Sequence, residues 1–347
     1  MNMESRKNLS DREERILQTI VRNYILSANP TSSRFIAKQP GFSLSAATVR
    51  NVMGDLEEKG FITHPHTSAG RVPTDKGYRY YVDNVMDCEY LTPELQSGIK
   101  KELKLIDPSD LHMVMEATSR ALSKATRQLG IILAPRLHSA VFRHVYIHEI
   151  GGGRFLMNLT IDSGFVKTVV VEIRSQVDPQ QLSLVCQLIN ERFQGMTLLD
   201  MCKAGDQAFS DIEKCQLGVI RLFVPSIKRL IAESDSEEIY TQGETNILLQ
   251  PEFFDKEKVG AIIEILEEKN LLMHLVDTQS CESGRVIVSI GGEIENGQFS
   301  SFSIVKTKYQ IGNMEGSLGV IGPKRMPYPL LVSAVDYTAR TLDELYS

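Results

Sequence analysis

Apolar residues recur every three or four positions through the first 60 residues of the chain, which is the period of an amphipathic helix. This pattern predicts a helix from Ser10 to about Ser27, followed by a short helix capped by Thr31 or Ser32. A third helix runs through SAATVRNVMGDLEEKG and stops at Gly60. Three helices joined by short turns predict a helix-turn-helix unit.

The third helix is followed by a pattern typical of a β-hairpin. Phe61-Ile62-Thr63 and Arg71-Val72-Pro73 are extended segments on either side of a tip that contains proline and glycine. Thr74 caps a further helix that leads away from the hairpin. A helix-turn-helix with a hairpin behind it is a winged helix, which we predict for residues 1–88.

The period changes further along the chain. A helix is predicted from Leu111 to Leu129, after a polar, proline-containing stretch from Tyr90 to Asp110 that we interpret as a linker. Residues 143–173 then alternate with period two, and glycine-rich turns divide them into an antiparallel meander of three strands. Helices return from Asp178 to about Glu233.

Strands and helices resume from Ile239, with a helix at 255–269, strands near 285–290 and 299–309, and a final helix at about 331–345. The segments before and after residues 142–233 both need strand partners, so we interpret residues 142–233 as an insertion within a larger α/β domain. The predicted fold is α+β and multidomain, with boundaries at residues 1–88, 89–141, 142–233 and 234–347. The inserted antiparallel sheet with its helices, at 142–233, is the expected dimerisation domain.

Composition narrows the class of protein. The chain has 347 residues, 42% of them hydrophobic, and a formal net charge of −6. Residues 1–80 nevertheless carry a net charge of +4, against −10 for the remainder, as expected when one small unit binds a polyanion. Five widely spaced cysteines without a CxxC pair, and the lack of a long apolar run, predict a cytoplasmic protein without membrane association.

The outer face of the third helix has side chains suited to a DNA major groove. Asn51 can bond an adenine edge, Ala47 can meet a thymine methyl group, and Arg50 can reach guanine or phosphate. Thr48 lies beside them, and we expect all four to contact bases. The alternative is an ordinary solvated amphipathic helix. Backbone contacts are expected from these residues: Ser33, Arg34, His66, Thr67, Ser68 and Arg71.

Catalysis and metal binding are not supported. The sequence has no GxSxG, GxxxxGK[ST], HExxH or GxGxxG motif. His64 and His66 fit half of a metal site, but no third ligand stands at the required spacing. His144 and His148 would share one face of a strand, with His138 outside it. We therefore predict neither a metal nor a cofactor, and no enzyme.

Two strings in the chain resemble a known family. LSAATVRNVMGDLEEKGFI followed by HPHTSAGRVPTDKGYRYYVD is similar to the N-terminal region of the HrcA family of heat-inducible transcription repressors. GETNILLQPEF, VIVSIGG and GSLGVIGPKRMPY are similar to the remainder of that family. The resemblance extends over nearly the whole chain.

The resemblance implies a winged-helix DNA-binding domain, a GAF-like domain and an inserted dimerising domain. It also implies repression of chaperone operons through the inverted-repeat operator CIRCE, under control of the GroE chaperonin. The expected partners are thus double-stranded operator DNA, a second copy of the chain and GroE. One alternative is a winged-helix regulator whose GAF-like domain binds a small effector, and another is a scaffold whose winged helix binds protein.

Overall fold

The computed structural model describes residues 9–65, 70–87, 89–107, 109–173, 177–209, 225–227, 229, 238–253, 263, 266, 268–277, 284–294 and 299–346. Over these residues the helices are α1 (Asp11–Ser27), α2 (Ser33–Ala37), α3 (Ala46–Glu58), α4 (Asp75–Tyr80), α5 (Pro93–Lys104), α6 (Leu111–Thr126), α7 (Pro179–Phe193), α8 (Leu198–Ala204), α9 (Glu244–Leu248), α10 (Lys269–Val276) and α11 (Tyr328–Tyr346). The strands are β1 (Ile62–Thr63), β2 (Val72–Pro73), β3 (Leu129–Leu133), β4 (Phe142–Gly151), β5 (Arg154–Ile161), β6 (Val166–Glu172), β7 (Ile239–Gln242), β8 (Ile287–Ile290), β9 (Phe302–Ile311) and β10 (Met314–Pro323).

The first unit of the fold, residues 9–85, contains α1 to α4 and the antiparallel ribbon of β1 and β2, and we call it the N-terminal unit. Hydroxyl side chains cap its helices, with Ser10 on α1, Ser32 on α2, Ser45 on α3 and Thr74 on α4. Each accepts a backbone N–H that has no partner within the helix. These caps confirm the predicted beginnings of the helices.

The core of the N-terminal unit lies between α1 and α3. The apolar face predicted for α3 is buried, and it meets a matching face of α1. The fully or nearly fully buried residues are Ile16, Leu17, Ile20 and Val21 on α1 and Val49, Val52, Met53 and Leu56 on α3. Burial of this face leaves the opposite side of α3 toward solvent.

Glu13 joins the beginning of α1 to the end of α3. Its carboxylate accepts a 2.6 Å bond from Lys59 Nζ and a 2.8 Å bond from the backbone N–H of Ser10, and its side chain is largely buried. The hydrogen bond from Lys59 holds the pKa of Glu13 below its ordinary value. The contribution of this carboxylate to stability is therefore complete above its unfolded-state pKa and is lost as the pH falls through the lowered folded-state pKa.

Glu13→Gln is expected to lower the free energy of unfolding by about 1–2 kcal/mol at pH 7, because a charge-assisted hydrogen bond is lost. The gap between the native protein and the variant should narrow as the pH falls through the acidic range, which urea unfolding at several pH values measures. Glu14→Gln, one residue along the same helix, is the control and should change stability by less than about 0.5 kcal/mol. A gap that stays constant with pH would contradict the assignment.

The stretch that we interpreted as a linker contains a helix. Residues 93–104 form α5, which is capped by Thr92 and packs against α6. The linker prediction is wrong because Pro93 occupies the first helical turn, where its missing N–H costs nothing. Ile99 and Leu103, four positions apart, are buried and supply the packing face.

A five-stranded antiparallel sheet in the order β7-β3-β10-β9-β8 combines β3, from the first half of the chain, with the four strands of residues 239–323. Helices α6 and α11 pack on the sheet, and residues of α9 and α10 join a second apolar cluster with β3, β9 and β10. Strands at 287–290 and 302–311 and the last helix agree with the predicted ones. Most of the helix predicted at 255–269 lies outside the described residues. The mixed α+β class is confirmed.

The predicted meander is present as a separate three-stranded sheet in the order β4-β5-β6. The turn between β4 and β5 is made by Gly151, Gly152 and Gly153, all with positive φ, as the hairpin prediction requires. One face of this sheet is buried, with α7 packed against β4. Across the described ranges of the chain, no helix is both long and apolar enough to cross a membrane.

Candidate nucleic-acid interface

The candidate interface is the exposed side of α3. Ser45 begins the helix, because its hydroxyl accepts the N–H of Thr48 at 3.1 Å and lies 2.9 Å from the hydroxyl of Thr48. The helix ends at Lys59, whose N–H donates to the carbonyl of Asp55. Between these two ends, the buried apolar side chains of α3 fix the rotation of the helix about its axis.

The structure brings the four predicted base-contact residues to the exposed N-terminal half of α3. Ala47, Arg50 and Asn51 are exposed, and Thr48 is half-buried because its hydroxyl lies beside the Ser45 cap. A Cβ built at Gly54 meets no heavy atom within 4 Å, so the surface is open one turn further along the helix. This face has the side chains and the space that a base edge requires.

The turn between α2 and α3 is held against α1 by an arginine. Arg15 donates from Nη2 to the carbonyl of Gly41 at 2.9 Å, and its guanidinium lies 5.1 Å from the centre of the Phe42 ring. In α2, which precedes this turn, Arg34 is exposed, whereas Ser33 is only 8% exposed. Of these two predicted phosphate contacts, Arg34 has the accessible side chain.

The ribbon places Arg71 against the third helix. Its Nε and Nη2 atoms lie 3.1 and 2.9 Å from Glu57 Oε2, and His64 Nδ1 lies 2.5 Å from Glu57 Oε1. The backbone of Arg71 also pairs with Thr31 through two 2.9 Å hydrogen bonds. Arg71 thus neutralises an acidic side chain of α3 at the base of the ribbon. The predicted contacts His66, Thr67 and Ser68 lie outside the described residues.

The cluster of Glu57, His64 and Arg71 is a feature of the site that the sequence did not indicate. Glu57 is half-buried and shared by two basic side chains. Positions 57, 64 and 71 belong to a helix and to the two arms of the ribbon, so neither helical nor strand periodicity brings them together; the contact depends on how the ribbon folds back on the helix. The cluster lowers the negative charge at the C-terminal end of α3, whereas Ala47 lies at the N-terminal end.

The histidines of the three-stranded sheet form an aromatic row. His144 and His148 share a face of β4 with Tyr146 between them, at ring-centre distances of 4.3 and 6.1 Å. His144 also lies 3.1 Å from the amide of Asn190 on α7. Within the part of the chain that the structure describes, no group of three or more His, Cys, Asp or Glu side chains is arranged to hold a metal ion.

The fold and the site define an α+β protein with two larger sheets and an N-terminal unit that exposes the polar face of one helix. The chain belongs to the HrcA family. The family model described as "HrcA protein C terminal domain" matches residues 112–332. This match covers more than half of the chain.

Relatives match over nearly the full length. A protein named "Heat-inducible transcription repressor HrcA" from Chlorobium phaeobacteroides (strain BS1) is 37% identical, covering 98% of this chain and 99% of that protein. A protein of the same name from Geobacter sulfurreducens is 36% identical, covering 97% and 98%. These proteins are named for repression and not for a reaction, which confirms the prediction that the chain is not an enzyme.

One solved structure has a similar fold. The crystal structure of a hypothetical protein superposes with a TM-score of 0.62 at 23% sequence identity, covering 97% of this chain and 98% of that chain. At this level of identity the likeness concerns the fold alone.

Proposed function

We propose that this protein is a transcription repressor that binds an inverted-repeat operator as a homodimer and blocks transcription by occupying it. The observation that carries the proposal is the exposed N-terminal half of α3, with Ala47, Arg50 and Asn51 on the face opposite its buried apolar side chains. A helix held in this way can enter a major groove without disturbing the core behind it. Relatives named as heat-inducible transcription repressors support the same function.

In this proposal Ala47, Thr48, Arg50 and Asn51 contact bases. Arg34 and Arg71 contact the phosphate backbone, together with Ser33, His66, Thr67 and Ser68. The exposed guanidinium of Arg34 supports its part. Glu57 competes with phosphate for Arg71, so this contact is only partial in the native protein and becomes complete when the carboxylate is neutralised. Backbone contacts of this kind position the protein, and the α3 face reads the sequence.

The domain assignment follows the same proposal. Residues 1–88 are the winged-helix domain, 89–141 and 234–347 are the two parts of a GAF-like domain, and 142–233 are an inserted dimerisation domain. The pairing of β3 with β7 supports the insertion, because these neighbouring strands are separated along the chain by the whole three-stranded sheet. An insertion between paired strands leaves the parent sheet intact.

The outer face of the three-stranded sheet supports the dimer. Facing residues of neighbouring strands include His148, Leu156 and Val170 in one row; the exposed Tyr146 lies in the next row and the exposed Val166 in the row after that. Exposed aromatic and β-branched side chains on one sheet face are typical of a protein interface. A second copy would cover this face and give the two-fold symmetry that an inverted repeat requires.

Repression of chaperone operons at the CIRCE operator, and control by the GroE chaperonin, are proposed on family membership. The DNA target implies a cytoplasmic protein. The test is a gel shift with the upstream regions of chaperone genes, with and without chaperonin. A retarded complex on these fragments, strengthened by chaperonin and absent on unrelated DNA, is expected. A folded protein that leaves the fragments unshifted at low salt, even with chaperonin, would overturn the proposal.

Glu57→Gln is expected to strengthen binding to all DNA sequences alike, by a few-fold at low salt, and to make the affinity more dependent on salt. The substitution removes a negative charge from α3 and leaves Arg71 to bind phosphate. Each added phosphate contact steepens the slope of log K against log salt by about 0.9. Fluorescence anisotropy over a series of salt concentrations measures both effects.

Glu58→Gln is the matched control, since Glu58 is an exposed residue at the next position of the same helix. It should strengthen binding slightly through its charge while leaving the salt slope unchanged. Equal slopes for the two variants would show that Arg71 does not gain a phosphate contact when Glu57 is neutralised.

A further inference from the structure

Helix α4 attaches the N-terminal unit to one end of the strands of the five-stranded sheet. Asp75 accepts a 2.6 Å bond from Lys324 Nζ and a 2.9 Å bond from the backbone N–H of Gly292. Arg79, one turn further along α4, is bidentate on Glu293 and donates to the carbonyl of Val288. We call Asp75, Arg79, Gly292, Glu293 and Lys324 the α4 latch.

The latch residues that belong to the sheet all lie at the same end of its strands. Gly292 and Glu293 follow the end of β8, and Lys324 follows the end of β10. Between the two charged contacts of α4, the side chain of Tyr78 is buried against Tyr328, with ring centres 5.9 Å apart. Two polar contacts on either side of a buried aromatic residue prevent α4 from rotating about its axis or pivoting on the sheet.

A glycine makes the approach to Asp75 possible. Gly291 has φ +53°, and a Cβ built on it would lie 2.3 Å from the Asp75 carboxylate. Only a residue without a side chain lets the turn after β8 come this close in that conformation. The turn after β8 is therefore shaped to receive Asp75 of α4.

The same helix is fixed to the end of α3. Thr74, the cap of α4, donates from its hydroxyl to the carbonyl of Gly60 at 2.7 Å, and Lys76 donates to the carbonyl of Lys59 at 2.7 Å. A Cβ on Gly77 would lie 2.1 Å from the carbonyl oxygen of Phe61, so α4 is in direct contact with the segment that joins α3 to β1. Helix α4 thus links the end of α3 to the sheet, alongside the 2.7 Å bond from Arg325 Nη1 to the carbonyl of Ile25 in α1.

We propose that Asp75 and Arg79 are positioning residues that fix the direction of α3 and thereby set the half-site spacing that the dimer reads. This inference rests on the proposed function, because spacing has meaning only for a dimer on an inverted repeat. Each base pair added between the arms moves one half-site by about 3.4 Å and rotates it by roughly 35°. If the α3 helices of the two protomers are held rigidly, the dimer binds one spacing of the two arms tightly. If they are held loosely, the dimer binds several spacings, and the effective concentration of the second helix at its arm is lower for each of them.

The individual latch contacts are not strong. Asp75 and Lys324 are each about one-third exposed, and ion pairs of this kind contribute little to stability. The native fold does not depend on them alone, since Tyr78 and Tyr328 stay buried. Breaking the latch should therefore change the orientation of the unit rather than unfold it.

The test compares the native protein with Asp75→Ala and Gly291→Ala, which break the same contact from opposite sides. The inverted repeat is first located by footprinting on the DNA that the native protein binds. Binding is then measured to this repeat, to versions with one to five base pairs inserted between its arms, and to a fragment with one arm. Gly312→Ala is the matched control, because Gly312 has φ +56° but lies in the turn at the other end of the sheet.

We expect the native protein and Gly312→Ala to bind one spacing best. Both latch variants should bind that spacing about tenfold more weakly, with a flatter dependence on spacing and unchanged affinity for the single arm. The protein with both substitutions should bind no more weakly than either single variant, because the two substitutions remove the same contact between Asp75 and the turn after β8.

The outcomes separate the two proposals. If the native protein binds none of the fragments, the proposed function fails. If the native protein binds and the latch variants keep its spacing preference, the positioning role is overturned. It is also overturned if the variants lose the same factor on the single arm, since the defect would then lie within the N-terminal unit.

Discussion

Leu17→Ala is expected to lower the free energy of unfolding of the N-terminal unit by about 2–5 kcal/mol and to abolish operator binding at temperatures where the native protein still binds. Leu17 is 0% exposed and lies in the α1 face that packs against α3. Its truncation removes apolar burial and leaves a cavity that close-packed neighbours fill only in part. Because α1 supports α3 from behind, the loss is transmitted to the candidate DNA-binding face.

The same helix contains a matched control. Leu26 is 86% exposed, so Leu26→Ala makes the same chemical change without creating a cavity. It should alter stability by less than about 0.5 kcal/mol. Urea unfolding followed by circular dichroism measures the two variants side by side, and operator binding is measured in parallel. Similar losses in the two variants would show that the α1–α3 contact is not the centre of this core.

The beginnings of the helices in the N-terminal unit were predictable because capping is local. The sequence offered Thr31 or Ser32 for the second helix, and the structure has Ser32 as the cap while Thr31 pairs with Arg71 of the ribbon. A hydroxyl residue before an apolar periodic segment satisfies N–H groups only three residues away. Such a signal is contained within four or five positions and does not need the rest of the fold.

The charged contacts of the site were not predictable for the opposite reason. Glu57 and Arg71 are 14 positions apart, and Asp75 and Lys324 are 249 positions apart. Nothing in the periodicity of either segment selects one partner over another of the same charge. The choice follows from the packing of apolar faces, which brings the segments together before the ion pairs form.

The segment at 90–110, which was predicted to be a linker, depends on both local and long-range features. Its prolines suggested an irregular chain, but Pro93 begins α5, and only Ile99 and Leu103 bury its apolar face. Two buried positions in a polar helix are too few to stand out in a sequence pattern. The helix is stabilised by tertiary contacts, including the 3.1 Å bond from the hydroxyl of Tyr346 to the carbonyl of Leu103.

Asn51→Ala is expected to have the largest effect on operator binding among the α3 variants. A bidentate contact from an asparagine amide to adenine discriminates against other bases by about 1–3 kcal/mol. The proposed dimer on an inverted repeat would make this contact twice, so the variant should lose about 2–6 kcal/mol, or roughly 30-fold to 20,000-fold in affinity. The preference for one base should relax at the same position of each arm, and the salt slope should stay the same because no phosphate contact is lost.

The control for Asn51 is Asn84→Ala, an identical change at an exposed residue of the N-terminal unit that follows α4 and lies off the α3 face. Its operator affinity should equal that of the native protein. Quantitative footprinting on operators with each base changed in turn measures both affinity and preference. Native affinity and native base preference in the Asn51→Ala protein would contradict the proposal that α3 contacts the bases. Asn51 is the one residue of the exposed face of α3 that can bond adenine in bidentate fashion. A uniform loss with unchanged preference would make Asn51 a backbone contact, and base discrimination would then rest on Arg50, Thr48 and Ala47.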